Sequence, residues 1–345
     1  MLSEYRQDPV TKMWTVLSPG RAKRPEAFVP AKTQTDRHKK CVFCEGNEKK
    51  TPKEVYAIRK SDSKPDASGW EIRVVPNKYP VFKKSVVQNN PAHAFFKDAP
   101  AVGVHEVLIT NNPHKDIGQF SQYKTQQVLE TYLQRFNFHK HNPFVPVRYI
   151  LIMQNHGRTS GASVPHPHSQ IFGFDRWEGS LIEKELVGSR DYYIRNKKCV
   201  FCEMQNKEQS VGKRIVYQND KFVALCPYAS RYPFETWIMP RFHNGFFEYL
   251  KIDQIESLAD ITRVVLAKLN KGLKNPDYNF FIHTAPTRFV STRERDEVSR
   301  YYHWHMEILP KITSWGGFEF ATDMVINVVA PEDAARFLRK VKITN

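Results

Sequence analysis

Five cysteines in 345 residues are too few for a disulfide framework, and four of them fall in two Cys-x-x-Cys pairs, Cys41 with Cys44 and Cys199 with Cys202. Pairs at this spacing read as metal ligands or redox centres. The redox reading fits less well. Thioredoxin-like chemistry wants its pair opening a helix after a strand, whereas both pairs follow Lys-rich turns, His38-Lys39-Lys40 and Asn196-Lys197-Lys198. Long apolar runs are also missing: the strongest, such as Tyr149-Ile150-Leu151-Ile152-Met153, fall far short of the roughly 18 residues of a membrane helix. The first nine residues, Met1 to Pro9, carry no apolar core of the signal-peptide kind, so the expected location is the cytoplasm, with no membrane partner. Acidic residues are in deficit, 36 against 52 Lys and Arg, and the net charge of +16 favours anionic partners such as nucleic acid, nucleotides or sugar phosphates. Much of that excess sits in solvated stretches, Glu48-Lys49-Lys50 and the tail residues Arg339, Lys340 and Lys342, where solubility explains it. No standard nucleic-acid signature accompanies the charge. A zinc-stabilised nucleic-acid-binding protein is therefore the alternative from another class, and nucleic acid is not the expected partner.

What the chain does have is one order of parts, used twice. A Cys-Val-Phe-Cys knuckle is followed by a lone histidine after a strand-like run, and then by a His-x-His pair. The first copy holds Cys41, Cys44, His114, His166 and His168; the second holds Cys199, Cys202, His243, His303 and His305. At 41% hydrophobic, the length suits one large duplicated domain or two fused ones. Residues 1 to 40, rich in Pro, Lys and Arg, read as a wrapping arm. Strands are expected over 71–75, 104–110, 148–153 and 170–174, with a helix over 121–136 whose Val128, Tyr132 and Phe136 recur at i, i+4 and i+8. The second half repeats this with strands near 214–217, 221–225, 235–239, 278–283 and 303–309, and a long helix opening at Asp253-x-x-Glu256. The join is expected in the polar stretch 176–198, the segment 285–300 as an exposed loop, and a last helix from Pro331. The fold class is α+β: a duplicated histidine-triad-like module of antiparallel sheets with flanking helices, its halves spanning 1–185 and 186–345.

Two thiolates and two imidazoles make a closed tetrahedral set that suits Zn²⁺ and leaves no open position for water, which makes a structural site. The sets assigned are Cys41, Cys44, His114 and His166, and Cys199, Cys202, His243 and His303. The plain alternative for either is a pair of buried free thiols with hydrogen-bonded core histidines. In His166-Pro167-His168 the strand period of two puts both imidazoles on one face, so a metal that fixes His166 also positions His168. A neutral imidazole can attack phosphorus when its other nitrogen is held by an acceptor. Gln170, two residues on, can donate amide hydrogen bonds to a phosphoryl oxygen, and the small-residue run Gly157 to Ser163 could bring backbone N–H groups and hydroxyls to phosphates. Taken singly, a loop of this kind is more often only a turn, and a lone histidine a satisfied core residue.

The run Asn155-His156-Gly157 through Ser163-Val164-Pro165-His166-Pro167-His168-Ser169-Gln170 resembles the active-site strand of the galactose-1-phosphate uridylyltransferases, the nucleotidylyltransferase branch of the histidine-triad superfamily. Arg6-x-Asp8-Pro9 with Trp14, Ser18-Pro19-Gly20-Arg21-Ala22-Lys23-Arg24-Pro25, Val75-Pro76-Asn77-Lys78-Tyr79-Pro80, Gly317-Phe318-Glu319 and Asn327 through Ala335 are similar to further family segments, in order from about residue 4 to 340. The resemblance implies ping-pong transfer: His168 attacks the α-phosphorus of UDP-glucose, expels glucose 1-phosphate, and passes the uridylyl group to a second hexose 1-phosphate. It further implies phosphate contacts from Gln170 and Ser163, charge neutralisation by Arg21 and Arg24, nucleotide contacts from Asn77 and Asn155, sugar contacts from the segment containing Gly317 and Phe318, and a homodimer sharing its active sites. No Mg²⁺ is required. The common form of the strand is His-Pro-His-Gly-Gln; Ser169 here is shared with the related ADP-glucose phosphorylase group, which also keeps a second Cys-Cys-His-His site. The competing enzyme reading is accordingly an ADP-glucose or dinucleotide phosphorylase. In the second copy Glu307 takes the glutamine position, and that half is read as kept for metal, folding and substrate contacts.

Overall fold

A computed structural model describes residues 3–23, 41–83, 100–145 and 147–343. In chain order the strands are β1 (Glu4–Gln7), β2 (Trp14–Leu17), β3 (Tyr56–Arg59), β4 (Trp70–Pro76), β5 (Gly103–Thr110), β6 (Tyr149–His156), β7 (His168–Phe174), β8 (Ile215–Gln218), β9 (Phe222–Leu225), β10 (Thr236–Pro240), β11 (Tyr278–His283), β12 (His305–Pro310) and β13 (Val325–Asn327). The helices are α1 (Gln122–Lys140), α2 (Leu181–Asn196), α3 (Val200–Val211), α4 (Ile252–Gly272), α5 (Thr292–Tyr301), α6 (Gly317–Thr322) and α7 (Pro331–Lys340).

Ten strands form one sheet in the order β3-β4-β5-β7-β6-β11-β12-β10-β9-β8. Read outward from the centre, each half gives the same sequence of strands, and β6 pairs antiparallel with β11 from Ile152↔Ile282 to His156↔Tyr278. The two modules therefore share a continuous sheet. Its pairing is antiparallel throughout. Alternation along each strand sends one set of residues to a common core and the other set to the opposite face. Val104, Leu108, Ile150, Ile152, Ile171, Phe280, Ile282, Met306 and Ile308 belong to that core with α1 and α4, where Val128, Leu129, Tyr132, Phe136, Leu258, Ile261, Val265 and Leu269 line the buried stripes. Ser121 caps α1 by accepting the Lys124 N–H at 3.1 Å, so one of the orphan donors of the first turn is satisfied.

The opposite face differs between the halves. In the second it is covered: α2, α3 and α5 bring Leu186, Val200, Phe201, Met204, Val298 and Tyr301 onto Val223, Leu225, Trp237 and Met239. In the first, among the described residues, it carries a small cluster of Trp70, Val75, Val107 and Ile109 with Phe43 against it. Below the main sheet, β1, β2 and β13 make a three-stranded sheet in which β2 and β13 run parallel.

Several expectations are corrected. Part of the N-terminal arm is packed, not draped: Val10 and Leu17 are buried and two of its segments are strands. The polar stretch 176–198 is helix α2, which buries Ile182, Glu185 and Ser189, and the 185/186 boundary falls inside it. The 285–300 segment is a loop only as far as Ser291, since α5 starts at Thr292 with Ser291 accepting the Glu294 N–H at 3.2 Å. Helix α4 starts at Ile252, where Gln254 Oε1 accepts the Lys251 N–H at 2.9 Å, so Asp253 lies in the first turn instead of capping it. Its apolar face had hidden nothing; the start signal was misplaced by two residues. The second cysteine pair does open a helix, with Cys199 as the N-cap of α3, but it follows α2 and not a strand.

Candidate active site

Two clusters of sulfur and nitrogen ligands lie on either side of the central strands. Cys199, Cys202, His243 and His303 place one ligand atom each within 4.8 Å of the others. Cys202 Sγ stands 3.3 Å from His243 Nδ1 and 3.4 Å from His303 Nδ1. In the first half Cys41, Cys44 and His166 form the corresponding group, with sulfur to His166 Nδ1 distances of 3.5 and 3.7 Å. His114 is not in that group; it sits exposed in the turn after β5, its N–H donating to Asn112 Oδ1 at 3.0 Å. Bond lengths to tetrahedral zinc put sulfur and nitrogen about 3.6 Å apart, so the observed separations suit such an ion. The rings are also oriented for one. His166 Nε2 donates to Thr110 O at 2.7 Å, His243 Nε2 to Ser299 O at 2.7 Å and His303 Nε2 to Pro240 O at 3.0 Å. A carbonyl can only accept, so each Nε2 carries the proton and each Nδ1 offers its lone pair to the thiols, the arrangement that metal-bound histidines show. Contacts from Cys199, His243 and His303 pull the Cys202 thiol down to about 3, against burial, whereas burial and Cys41 push Cys44 up to about 11. These residues fit a divalent metal; the donor set and spacing favour zinc.

Beside the first cluster, β7 opens with His168, 8% exposed. Its Nδ1 donates to His166 O at 2.8 Å, which leaves the Nε2 lone pair as the available nucleophile, and burial lowers its pKa so that the neutral form persists. Phe43, from the knuckle, packs edge-on against the ring at 5.1 Å between centroids. Gln170 follows on the same face. Its Oε1 lies 2.8 Å from His105 Nε2, and Asn77 Nδ2 lies 3.0 Å from the same nitrogen. The structure thus brings His168, Gln170 and Asn77 to one face that no described helix covers, with His105, a residue the sequence reading did not single out, joining the last two. His105 could have been found from its place on β5, where it shares the parity of Val107 and Ile109 and so faces the same side as Gln170.

Ser169 points the other way. Its hydroxyl meets Tyr132 OH at 2.5 Å and donates to Gln154 Oε1 at 3.2 Å, so the departure from glycine is accommodated against α1, on the core side of the sheet. The loop 157–163 also behaves differently from its expected role. Thr159 donates its N–H and hydroxyl to Asp277 Oδ2 at 2.7 and 2.6 Å, Ser160 donates its hydroxyl to His156 O, and the Gly161 and Ala162 N–H groups bond within the loop. Those donors are already used, and Ser163, exposed, is what the loop still presents. Asn155 Oδ1 accepts from Asn279 Nδ2 at 2.6 Å, so the second half holds this loop from behind. Asp277 and Asn279 were missed because a carboxylate and an amide spaced by two on an ordinary strand carry no sequence signal of their own.

Arg21 lies exposed in a turn of 3-10 helix, and Arg24 falls outside the described residues. Gly317 and Phe318 open α6, which packs beside β13. No described helix is long and apolar enough to cross a membrane.

Residues 1–177 match the family model described as galactose-1-phosphate uridyl transferase, N-terminal domain. Over 99% of this chain and 93% of the relative, the sequence is 31% identical to an ADP-glucose phosphorylase of Arabidopsis thaliana. It is 28% identical, over 99% of both chains, to a galactose-1-phosphate uridylyltransferase of Thermotoga maritima. A crystal structure of the Arabidopsis ADP-glucose phosphorylase with bound ADP-glucose superposes with a TM-score of 0.80 at 30% identity, covering 99% of this chain and all of that one. The chain belongs to the galactose-1-phosphate uridyl transferase family and is an enzyme of its nucleotidylyltransferase and phosphorylase kind.

Proposed function

We propose that the protein cleaves a nucleotide sugar by covalent catalysis at His168. The observation that carries this reading is the His168 ring itself: Nδ1 is held by His166 O, so the Nε2 lone pair is left as a neutral nucleophile. In the first half-reaction Nε2 bonds to the α-phosphorus while the bond from that phosphorus to the β-phosphate oxygen breaks, and the sugar 1-phosphate departs. In the second, an acceptor oxygen takes the nucleotidyl group and His168 is released. Gln170 and Asn77 supply amide donors to the phosphoryl oxygens, in a site where positioned donors lower the barrier more than they would in water. Arg21 and Arg24 neutralise charge, Ser163 and Asn155 hold the nucleotide from the loop, and Gly317 and Phe318 serve the sugar end, reached from a partner subunit in a dimer. Zinc would be held in the first half by Cys41, Cys44 and His166, with His114 as the fourth ligand once its turn closed on the site, and would cross-link the knuckle segment to the strand that carries His168.

ADP-glucose with inorganic phosphate as acceptor is the favoured substrate pair. Supporting it are the likeness to the Arabidopsis phosphorylase along nearly the whole chain and the complete second Cys-Cys-His-His group. The second reading, UDP-glucose with a hexose 1-phosphate acceptor, is supported by the family model and the Thermotoga relative. Intact-mass measurement after brief mixing with each nucleotide sugar, without acceptor, separates them. An adenylyl adduct cleared by phosphate supports the first, and a uridylyl adduct cleared by galactose 1-phosphate supports the second. No adduct from either donor removes covalent catalysis at His168. The expected location is the cytoplasm.

A further inference from the structure

His105 stands between the two amides that the proposed reaction needs, and the polarity of its hydrogen bonds follows from a group whose identity is beyond doubt. The Val81 backbone N–H donates to His105 Nδ1 at 3.3 Å. A backbone N–H is always a donor, whereas the O and N of an Asn or Gln amide are told apart only by their partners. Nδ1 is therefore the acceptor, and in the neutral ring the proton sits on Nε2. That proton is donated to Gln170 Oε1 at 2.8 Å, which turns the Gln170 NH₂ away from His105. A second backbone N–H, that of Tyr79, donates to Asn77 Oδ1 at 2.8 Å and fixes the Asn77 NH₂ on the side of the imidazole, 3.0 Å from Nε2. Since Nε2 already bears a proton, it cannot accept from that NH₂. Two amide NH₂ groups thus face one region with their carbonyl oxygens spent, and among the described residues no acceptor takes either. The ring is held by stacking on Phe172 at 4.1 Å between centroids, and burial keeps it neutral by lowering its pKa.

We infer that His105 is a positioning residue that sets the direction of the Gln170 and Asn77 amides, so that both offer N–H donors to the phosphoryl oxygens of the nucleotide. A carbonyl turned toward a phosphate would repel it; one imidazole prevents this for Gln170 and denies Asn77 an internal acceptor. The inference rests on nucleotidyl transfer through His168 and adds the device that orients its donors.

The test is a double-mutant cycle on the rate of His168 adduct formation, using ADP-glucose and UDP-glucose as probes. His105→Phe keeps a ring on Phe172 and removes both nitrogens. It is expected to slow adduct formation by on the order of tenfold to a hundredfold, the range for loss of a preorganised donor, with unchanged metal content. In a Gln170→Ala background the same change is expected to cost far less, because the group it orients is gone; a general structural defect would multiply through. His105→Gln, whose amide can donate to Gln170 Oε1, is expected to restore most of the rate and serves as the reading if the phenylalanine variant does not fold. Equal rates for wild type and His105→Phe, fully multiplicative losses, or no rescue by glutamine would overturn the role of His105 while leaving His168 chemistry intact. No adduct on the wild type with either sugar would overturn the transfer reading and this inference with it.

Discussion

The same strand frame appears at His166-Pro167-His168-Ser169-Gln170 and at His303-Trp304-His305-Met306-Glu307, and among the described residues only the second copy is covered by helices. In both, the first histidine faces the cysteine knuckle and the third residue donates Nδ1 to the first one's carbonyl, at 2.8 Å for His168 and 3.2 Å for His305. In both, the knuckle phenylalanine packs on the second imidazole at 5.1 Å between centroids. The halves diverge in what lies over that imidazole. Over His168, 8% exposed, no described helix packs. His305 is fully buried, stacked on Trp237 at 4.7 Å, with Nε2 3.3 Å from Glu307 Oε1 and close to Glu185. Helix α2 supplies Glu185, which also binds His283 Nδ1 at 2.8 Å and accepts from Tyr302 OH at 2.8 Å. Glu307 pairs with the partly buried Arg231, and against burial this cation together with His305 and His283 holds the carboxyl down at about 2. A duplicated frame is thus left for the proposed chemistry where no described helix covers it, and serves packing where helices do.

The sharpest break of this comparison is to remove the two equivalent imidazoles. His168→Ala is expected to lower nucleotidyl transfer by at least about 1,000-fold, the scale for loss of a covalent nucleophile, with metal content and melting temperature close to wild type. His305→Ala is expected to do the reverse. It strips a partner from Glu307 and Glu185 in a fully buried site, so the cost falls on stability, while the adduct still forms on His168. Adduct rates and thermal melts on both variants decide it, and an active His168→Ala would end the nucleophile assignment.

Much of this contrast was legible in the sequence and part was not. The duplicated order of knuckle, lone histidine and His-x-His reads directly, because ligand residues are sparse and their spacing is fixed by the strand and the metal. The strands around β4 to β7 and β9 to β12 read nearly as well from alternation. Helix α2 did not, since its sequence Leu181–Asn196 is mostly polar and its one decisive buried group is a glutamate. Helix α5 has the same difficulty: its Thr-Arg-Glu-Arg-Asp-Glu opening looks like a solvated loop, and only Val298 and Tyr301 are buried. Yet these two helices, with α3, are what close the second half. A covering helix that binds through a carboxylate and a few side chains leaves little trace in hydrophobic periodicity.

Metal removal should separate the halves next. Cys199→Ser and Cys41→Ser are each expected to lower bound zinc by about one equivalent and to cost several kcal/mol of stability, since binding to a structural site contributes directly to folding. Only the Cys41 variant should also slow adduct formation, because His166 carries the carbonyl that orients His168. Zinc analysis beside single-turnover rates provides the check; equal catalytic losses from both variants would erase the distinction. A smaller loss is expected from Arg231→Met, about 3–5 kcal/mol, as Glu307 and Glu235 are left buried without their cation. Adding Glu307→Gln should recover part of it in urea unfolding. The effect should be confined to stability.

The smallest expected effect tests how the closed half supports the open one. Gly157 has φ of 83°, and a Cβ there would come within 1.8 Å of Asp277 Oδ1, the carboxylate that receives the Thr159 N–H and hydroxyl. Gly157→Ala therefore meets both backbone strain and a clash, and about 1–3 kcal/mol of stability should be lost. The loop can yield only by giving up its bonds to Asp277, which shifts Ser163 and loosens Asn155 from Asn279. Adduct formation should then fall through weaker nucleotide binding, seen as a raised KM with kcat little changed. Asp277→Ala relieves the clash but also removes the acceptor, so the double variant should regain stability and not binding. If it regains both, the loop needs only room, and β11 contributes nothing to the site beyond its edge of the sheet.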